Sequence, residues 1–327
     1  MRVLITGAGG FIGSHLVESL KKDGHFVRGI DLKYPEFKST CADDFMIADL
    51  RAYNNCSKAV STMDWIYHLA ADMGGIGYIT KELASIARNN SLININMLEA
   101  ARVYRIKRLL FSSSACVYPS YRQNDANVTP LAEDHAIPAD PEPGYGWEKL
   151  YMEQLCEYYR KDFSIDTRIV RFHNVYGACG VYEGGKEKAP AALCRKIATS
   201  KDGVINVWGD GKQTRSFMYV DDCIEGIKRL MKSNYFKPIN LGTDELVSID
   251  DLVHIIAKIA GKDIKIVHDC GKPQGVRGRN SDNSRLREVF GWEPQIKLEH
   301  GLKITYSWIE EQVRSCTKIK KESVFVD

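Results

Sequence analysis

A tyrosine and a lysine four residues apart, Tyr145 and Lys149, stand where a helix is expected to begin. The residues that follow, Leu150, Met152, Leu155, Cys156 and Tyr159, recur near the helical period. Positions i and i+4 share a helix face, so the phenol and the ammonium can point into one pocket. A free phenol, with a pKa of about 10, is a poor base near neutrality, but a neighbouring cation favours the phenolate. Such a pair can take a proton from an alcohol. The same spacing is also that of an ordinary amphipathic helix, so the chemistry needs partners elsewhere in the chain.

The first partner is at the N-terminus. Val3 to Thr6 is a β-rich run, and Gly7, Gly10 and Gly13 follow it in a G-x-x-G-x-x-G spacing ahead of a helical pattern. Strand, glycine turn and helix let backbone approach a pyrophosphate and turn free N–H groups towards it. A second strand, Phe26 to Ile30, ends in Asp31, placed 24 residues after Gly7. An acid there accepts from the adenosine ribose hydroxyls and repels a 2′-phosphate, which favours NAD over NADP. Met46 to Leu50 reads as a third strand, with Asp49 able to accept from the adenine amino group, and Asp64 to Ala71 reads as a fourth. The loop Asp72-Met73-Gly74-Gly75-Ile76-Gly77 is rich enough in glycine for its backbone to lie against a ligand.

Asn89 to Tyr104 is expected as a helix and Lys107 to Ser112 as a fifth strand, running into Ser114-Ala115-Cys116. Strands alternating with helices predict an α/β fold, a doubly wound parallel sheet with ligands at the C-terminal strand ends. Ser114 and Cys116 then project near the cofactor, and on an extended strand they lie on one side. Ser114 can bond a substrate hydroxyl alongside Tyr145. Tyr121 to Pro143, with several prolines, reads as a surface excursion. Two basic segments, Lys186 to Lys201 and Lys272 to Arg287, suggest one anionic site, such as a diphosphate. Ser248 is the expected cap of a helix through Leu252 and Ile259.

The whole chain limits the rest. Its 327 residues suffice for one large or two ordinary domains, and 45 basic against 42 acidic residues leave a net charge of +3. That balance does not suggest a nucleic-acid partner. Runs of membrane-spanning length and a signal peptide are absent from the reading, and nine scattered cysteines without a CxxC pair fit a reducing, cytoplasmic setting. The expected division is a cofactor domain of residues 1–173 plus 217–247, and a smaller, discontinuous substrate domain of 174–216 plus 248–327. The tail after Arg314 is polar and expected to be loosely ordered.

The glycine turn, Asp31, Ser114, Tyr145 with Lys149, and Arg171 to Gly177 together resemble the extended short-chain dehydrogenase/reductase family, in its nucleotide-sugar epimerase and dehydratase branch. Arg215 to Asp222 and the late strand Ile239 to Gly242 extend the resemblance over nearly the whole chain. Four stretches are similar to the GDP-mannose 3,5-epimerases within that branch: Ala71 to Gly75, Ser114 to Pro119, Gly184 to Ala192 and Gly275 to Asn283. Ile76 and Tyr78 depart from that pattern.

The resemblance implies NAD held by Gly7, Gly10, Phe11, Ile12, Gly13, Asp31, Asp49, Leu50, Leu69, Tyr145 and Lys149, with no metal. It implies a GDP-hexose held by Gly74, Ser114, Ala115, Cys116, Asn174, Glu187, Lys188, Ala189, Lys196, Gln213, Arg215 and Arg279, with Lys196 and Arg279 on the phosphates. Oxidation at C4 makes the C3 and C5 hydrogens acidic, and Cys116 and Lys188 are implied as the base and acid on opposite sugar faces. A thiolate beside cations is a credible base, and a desolvated lysine a usable acid. The implied reaction converts GDP-mannose to GDP-L-galactose, with GDP-L-gulose as the product of partial epimerisation. A homodimer through the Asn89 and Tyr145 helices is implied as well. Alternatives from the same branch are a 4-epimerase, which needs neither Cys116 nor Lys188, and a 4,6-dehydratase, which wants a carboxylic acid near Cys116. A non-catalytic NAD-sensing module is the alternative from another class, and its usual mark is a lost Tyr or Lys.

Overall fold

The computed structural model describes residues 1–322, apart from the side chains of 76 and 316–322. The chain begins β1 (Arg2–Thr6), α1 (Phe11–Lys22), β2 (Phe26–Asp31), β3 (Asp44–Ile47), α2 (Tyr53–Val60), β4 (Trp65–His68), α3 (Ile76–Ile79), α4 (Leu83–Val103) and β5 (Arg108–Ser114). It continues with α5 (Tyr145–Phe163), β6 (Asp166–Phe172), β7 (Asn174–Tyr176), α6 (Ala189–Thr199), β8 (Val204–Trp208), β9 (Thr214–Tyr219), α7 (Val220–Lys232) and β10 (Ile239–Leu241). The last elements are β11 (Leu246–Ser248), α8 (Ile249–Ala260), β12 (Lys265–Asp269), β13 (Gly278–Arg279), α9 (Ser284–Phe290) and α10 (Leu298–Glu322).

Seven parallel strands form the main sheet in the order β3-β2-β1-β4-β5-β6-β10. The order reverses between β1 and β4, which opens a crevice at their C-terminal ends. Strand residues alternate between faces, and β1 is buried on both. Val3 and Ile5 pack into a core with α1 and α7, while Leu4 packs with Met97, Leu98 and Met152 of α4 and α5. The doubly wound sheet is therefore as expected. The second strand also stands where sequence placed it, whereas the third is shifted towards its N-terminal side and stops at Ile47, leaving Asp49 in a loop, and the fourth stops at His68, leaving Leu69 to Ala71 beyond its end.

A smaller sheet holds β11, β9 and β13, with β7 alongside β9, and β8 pairs with β12. Ser248 caps α8 by accepting from the Asp251 N–H at 3.0 Å, as its position predicted. Three rings join distant segments: Phe37 lies 5.6 Å from Tyr182 and 5.1 Å from Trp308, centroid to centroid.

The excursion between β5 and α5 is more than surface. Val128, Leu131 and Ala136 are buried, and Leu131 bridges to Ser281. Its apolar residues are too few and too irregularly spaced to announce an element, yet they are what the 280s pack against. The tail expected to be loose continues as α10 to Glu322, and residues 323–327 lie outside the described residues.

Candidate active site

The glycine turn closes onto the end of β4. Gly7 takes φ of +71°, and a Cβ there would sit 2.9 Å from the Ala70 nitrogen. A Cβ on Gly13 would lie 2.0 Å from the Gly7 carbonyl oxygen, so α1 packs directly against the turn. Both positions exclude larger residues, and the turn leaves backbone exposed to the crevice. Asp31 accepts from the Gly9 N–H at 2.9 Å and the Leu32 N–H at 2.6 Å. Burial pushes its carboxyl above the ordinary range, with these backbone bonds acting against the shift. Phe11 and Ile12 open α1 on the crevice side of the turn, and Leu50 and Leu69 follow the ends of β3 and β4. Asp49 is already engaged: Arg51 reaches its carboxylate at 2.6 Å and holds it below the usual range.

Thr6 anchors the same end of the sheet. Its hydroxyl accepts from the Leu69 and Ala70 N–H groups, each at 3.1 Å, and lies 2.7 Å from His68 Nδ1. His68 is fully desolvated, and burial lowers its pKa to about 3, so the ring is neutral. The other ring nitrogen, Nε2, is 2.8 Å from Asn94 Oδ1, and the Asn94 amide donates to Glu148. Polarity is then set along the line: Thr6 donates to Nδ1, Nε2–H donates to Asn94, and Asn94 donates to the carboxylate. This buried line ties β1, β4, α4 and α5 together. Sequence reasoning missed it. The available signals were a histidine closing a strand and an asparagine on a helix face otherwise filled by Met97 and Leu98.

Gly144, with φ of +70°, turns the chain into α5. A Cβ on Gly146 would come within 2.3 Å of the Cys116 carbonyl oxygen, so the first turn of α5 rests on the Cys116 backbone. That contact brings Tyr145, Ser114 and Cys116 together. Lys149 is fully buried, and its Nζ has no hydrogen-bond partner among the described residues; it lies 4.7 Å from the Phe111 ring centroid and 5.6 Å from that of Tyr145. Desolvation lowers its pKa. Lys149 was expected to depress the Tyr145 phenol. Instead, burial raises the phenol well above its ordinary value, with Cys116 and Glu148 adding to the shift and the Ser114 hydroxyl opposing it.

Cys116 does not continue the strand, as the sequence suggested. β5 ends at Ser114, whose Oγ accepts from the Cys116 N–H at 3.2 Å and caps a 3-10 turn over Ala115–Val117. Cys116 is buried, and burial, then Glu142, pushes its pKa up rather than down, against the pull of Arg279. Lys188, the N-cap residue of α6, approaches the same place from another segment. Desolvation lowers its pKa, and Cys116 and Arg279 both act on it.

Arg279 was expected on phosphate. Its Nη1 lies 3.5 Å from the Cys116 sulfur, and its Nε donates to Gln123 Oε1 at 2.6 Å. Arg215 donates to the Thr214 and Val276 carbonyls at 2.7 Å, and burial brings its pKa down to about 9. Gln213 leaves Oε1 buried without a hydrogen-bond partner among the described residues, while its amide donates to the Trp208 carbonyl. Lys196 is turned to the Asn206 carbonyl at 2.6 Å, Glu187 accepts from the Gly185 N–H at 2.6 Å, and Asn174 donates to the Ser216 carbonyl at 3.0 Å. Gly74 packs on Tyr78, and Ala115 and Ala189 line the turn and the start of α6. Gln123 and Glu142 lie in the proline-rich excursion and carried no sequence signal. The sequence showed no carboxylic acid beside Cys116, but the fold brings one, Glu142, from just ahead of α5.

Residues 3–242 match the NAD dependent epimerase/dehydratase family. The chain belongs to that family. It is an enzyme family whose cofactor is NAD, and the crevice residues fit the group: backbone bare of side chains at Gly7 and Gly13, an acid at the end of β2, and an unpartnered buried ammonium at Lys149. Within the family, GDP-mannose 3,5-epimerase 1 of Oryza sativa subsp. indica is 48% identical over 96% of this chain and 82% of its own length. GDP-mannose 3,5-epimerase of Arabidopsis thaliana is 48% identical, over 96% and 83%. Among solved structures, UDP-glucose 4-epimerase of Thermotoga maritima, with UDP-glucose, superposes with a TM-score of 0.88 at 25% identity, covering 96% of this chain and all of that one, 100%. UDP-glucuronic acid 4-epimerase of Bacillus cereus, with UDP-glucuronic acid and NAD, gives 0.81 at 28% identity, covering 95% and 100%. No helix among the described residues is long and apolar enough to cross a membrane.

Proposed function

We propose that this family member epimerises GDP-mannose at C3 and C5 to give GDP-L-galactose, with GDP-L-gulose as the product of partial epimerisation. The reading is carried by the meeting of Cys116 and Lys188 beside Tyr145, in a chain 48% identical to plant GDP-mannose 3,5-epimerases over 96% of its length. A 4-epimerase has no use for a thiol and an amine facing one another at the sugar.

When bound, NAD would supply the hydride acceptor for C4 and the hydride that restores it. The Tyr145 phenol moves the O4 proton, and Ser114 holds both the phenol and the sugar hydroxyl. The buried phenol is a weak acid as it stands, so the positive charge of Lys149 and of the cofactor must stabilise its anion. With C4 a ketone, C3 and C5 each carry an acidic hydrogen. Cys116 removes it from one face and Lys188 delivers a proton to the other. Burial lowers the Lys188 pKa and raises that of the Cys116 thiol, which suits the amine to give a proton and leaves the thiol in need of help to lose one. Arg279, at the sulfur, stabilises the thiolate. Gln213, Arg215, Lys196, Asn174 and Glu187, with the backbone of Gly74, Ala115 and Ala189, hold the rest of the sugar nucleotide. On this reading residues 1–173 plus 217–247 serve the cofactor and 174–216 plus 248–327 the substrate. The strand β9 joins them, since it starts in the small sheet and leads into α7 on the large one.

The working unit is proposed to be a cytoplasmic homodimer. α4 and α5 pack side by side and leave large apolar groups in solvent: Leu92 at 41% and Ile95 at 39% exposure on α4, and Trp147 at 52% and Tyr151 at 55% on α5. Such a patch marks an interface more often than a free surface.

The test is incubation with GDP-mannose in D2O. Deuterium at C3 and C5, in new GDP-hexose isomers, is expected, and Cys116→Ala should lose the exchange while its bound cofactor is still reduced. Exchange at neither carbon, or full exchange by Cys116→Ala, defeats the reading.

A further inference from the structure

Glu142 stands immediately before the Gly144 turn into α5, and nothing so far gives it work. Its backbone is fixed at both ends of the catalytic turn: the N–H donates to the Cys116 carbonyl at 3.0 Å, and its carbonyl accepts from the Gly146 N–H at 2.9 Å. The carboxylate faces the Cys116 thiol and lies 3.8 Å from Arg279 Nη2, while Nη1 of the same guanidinium is 3.5 Å from the sulfur. One cation therefore touches both groups. Cys116 is buried, while the Glu142 side chain is 17% exposed and reaches solvent. Cys116 also faces Tyr145 from α5 and Lys188 from α6, and Glu142 also faces Tyr145 and Arg215 from β9.

We infer that Glu142 is a positioning and proton-relay residue for Cys116, carrying the thiol proton between the buried sulfur and water. The inference rests on the reading of Cys116 as the base. The S–H bond breaks and an O–H bond forms on the carboxylate, so the negative charge moves from oxygen to sulfur without leaving the Arg279 guanidinium. The thiolate then takes the hydrogen α to the sugar ketone and is a thiol again, and Glu142 gives its proton to water. Nothing is oxidised or reduced in these transfers. The step answers a difficulty in the site: a thiol whose ionisation is opposed by burial needs an acceptor within reach before it can act as a base.

Glu142→Gln keeps the size and the acceptor oxygen but cannot take the proton. The variant should still reduce its bound cofactor on adding GDP-mannose, which shows that it folds and binds. Its deuterium wash-in from D2O should fall by about 100-fold, the usual range of acid–base catalysis. The pH profile should change shape as well. Wild-type exchange is expected to vary little through neutrality, because the thiol proton is passed within the site. Exchange by Glu142→Gln should instead climb about tenfold per pH unit through neutrality, since its thiol must ionise unaided. Glu142→Asp should recover part of the rate and the wild-type profile. An unchanged rate and profile in Glu142→Gln, with Cys116→Ala inactive in exchange, overturns the relay and leaves Cys116 as the base. Full exchange by Cys116→Ala overturns both. A 6-deoxy product from the wild type that is lost in Glu142→Gln would also overturn the relay, by making Glu142 the acid of an elimination.

Discussion

Lys149 is the residue at which stability and chemistry pull hardest against each other. Its ammonium is fully buried and has no hydrogen-bond partner among the described residues, a costly arrangement for a cation, and desolvation lowers its pKa accordingly. Lys149→Met replaces it with an apolar chain of similar length. The expected result is a thermal midpoint equal to or above that of the wild type, together with a fall of at least about 100-fold in reduction of the bound cofactor by GDP-mannose. A lower midpoint measured by calorimetry would show that Lys149 is paired in a way the geometry does not supply. Tyr145 and Lys149 were legible in the sequence because their spacing is set within one helix. The state of Cys116 was not. Its pKa depends on Glu142 and Arg279, which reach it from other parts of the chain.

At the scale of elements, the line from Thr6 through His68 and Asn94 to Glu148 decides how α5 sits on the sheet. Asn94→Ala removes a donor and an acceptor together and leaves the His68 Nε2–H and a Glu148 oxygen buried without partners. A loss of about 2–6 kcal/mol in unfolding free energy is expected, at about 1–3 kcal/mol for each of the two orphaned groups. Because α5 carries Tyr145 and Lys149, kcat should drop more than KM rises. Urea titration and steady-state kinetics on one preparation check both, and an unchanged stability would mean that water replaces the amide. The alternation of strands and helices made the doubly wound sheet readable, since each element's period is local. The turn that ends β5 was not readable, because Ser114-Ala115-Cys116 has no glycine or proline to announce it. Nor was the packing of the 121–143 excursion, whose buried residues find partners in several distant segments: Leu131 with Ser281 and Val117, Gln123 with Tyr118 and Arg279, and Glu133 with Arg171 and Asn240.

For the whole molecule, the exposed faces of α4 and α5 have an energetic consequence that assembly can report. Trp147 and Tyr151 share a helix face at i and i+4 and are each more than half in solvent, at 52% and 55%. Trp147→Glu with Tyr151→Glu is expected to shift the mass seen by sedimentation from dimer to monomer. The buried site should continue to reduce its cofactor, since Glu148 and Lys149 point inward from the opposite face. A wild-type protein that sediments as a monomer at micromolar concentration would remove the dimer altogether. The long reach of Arg279 matters in a different way, through time. The glycine turn closes onto Asp31 across 22 residues, whereas Arg279 meets Cys116 across 163 and Gln123 across 156. Loops of that length cost more entropy to close and form later. The glycine turn and its acid are thus neighbours along the chain, while the thiol gains its guanidinium only when the last strand docks.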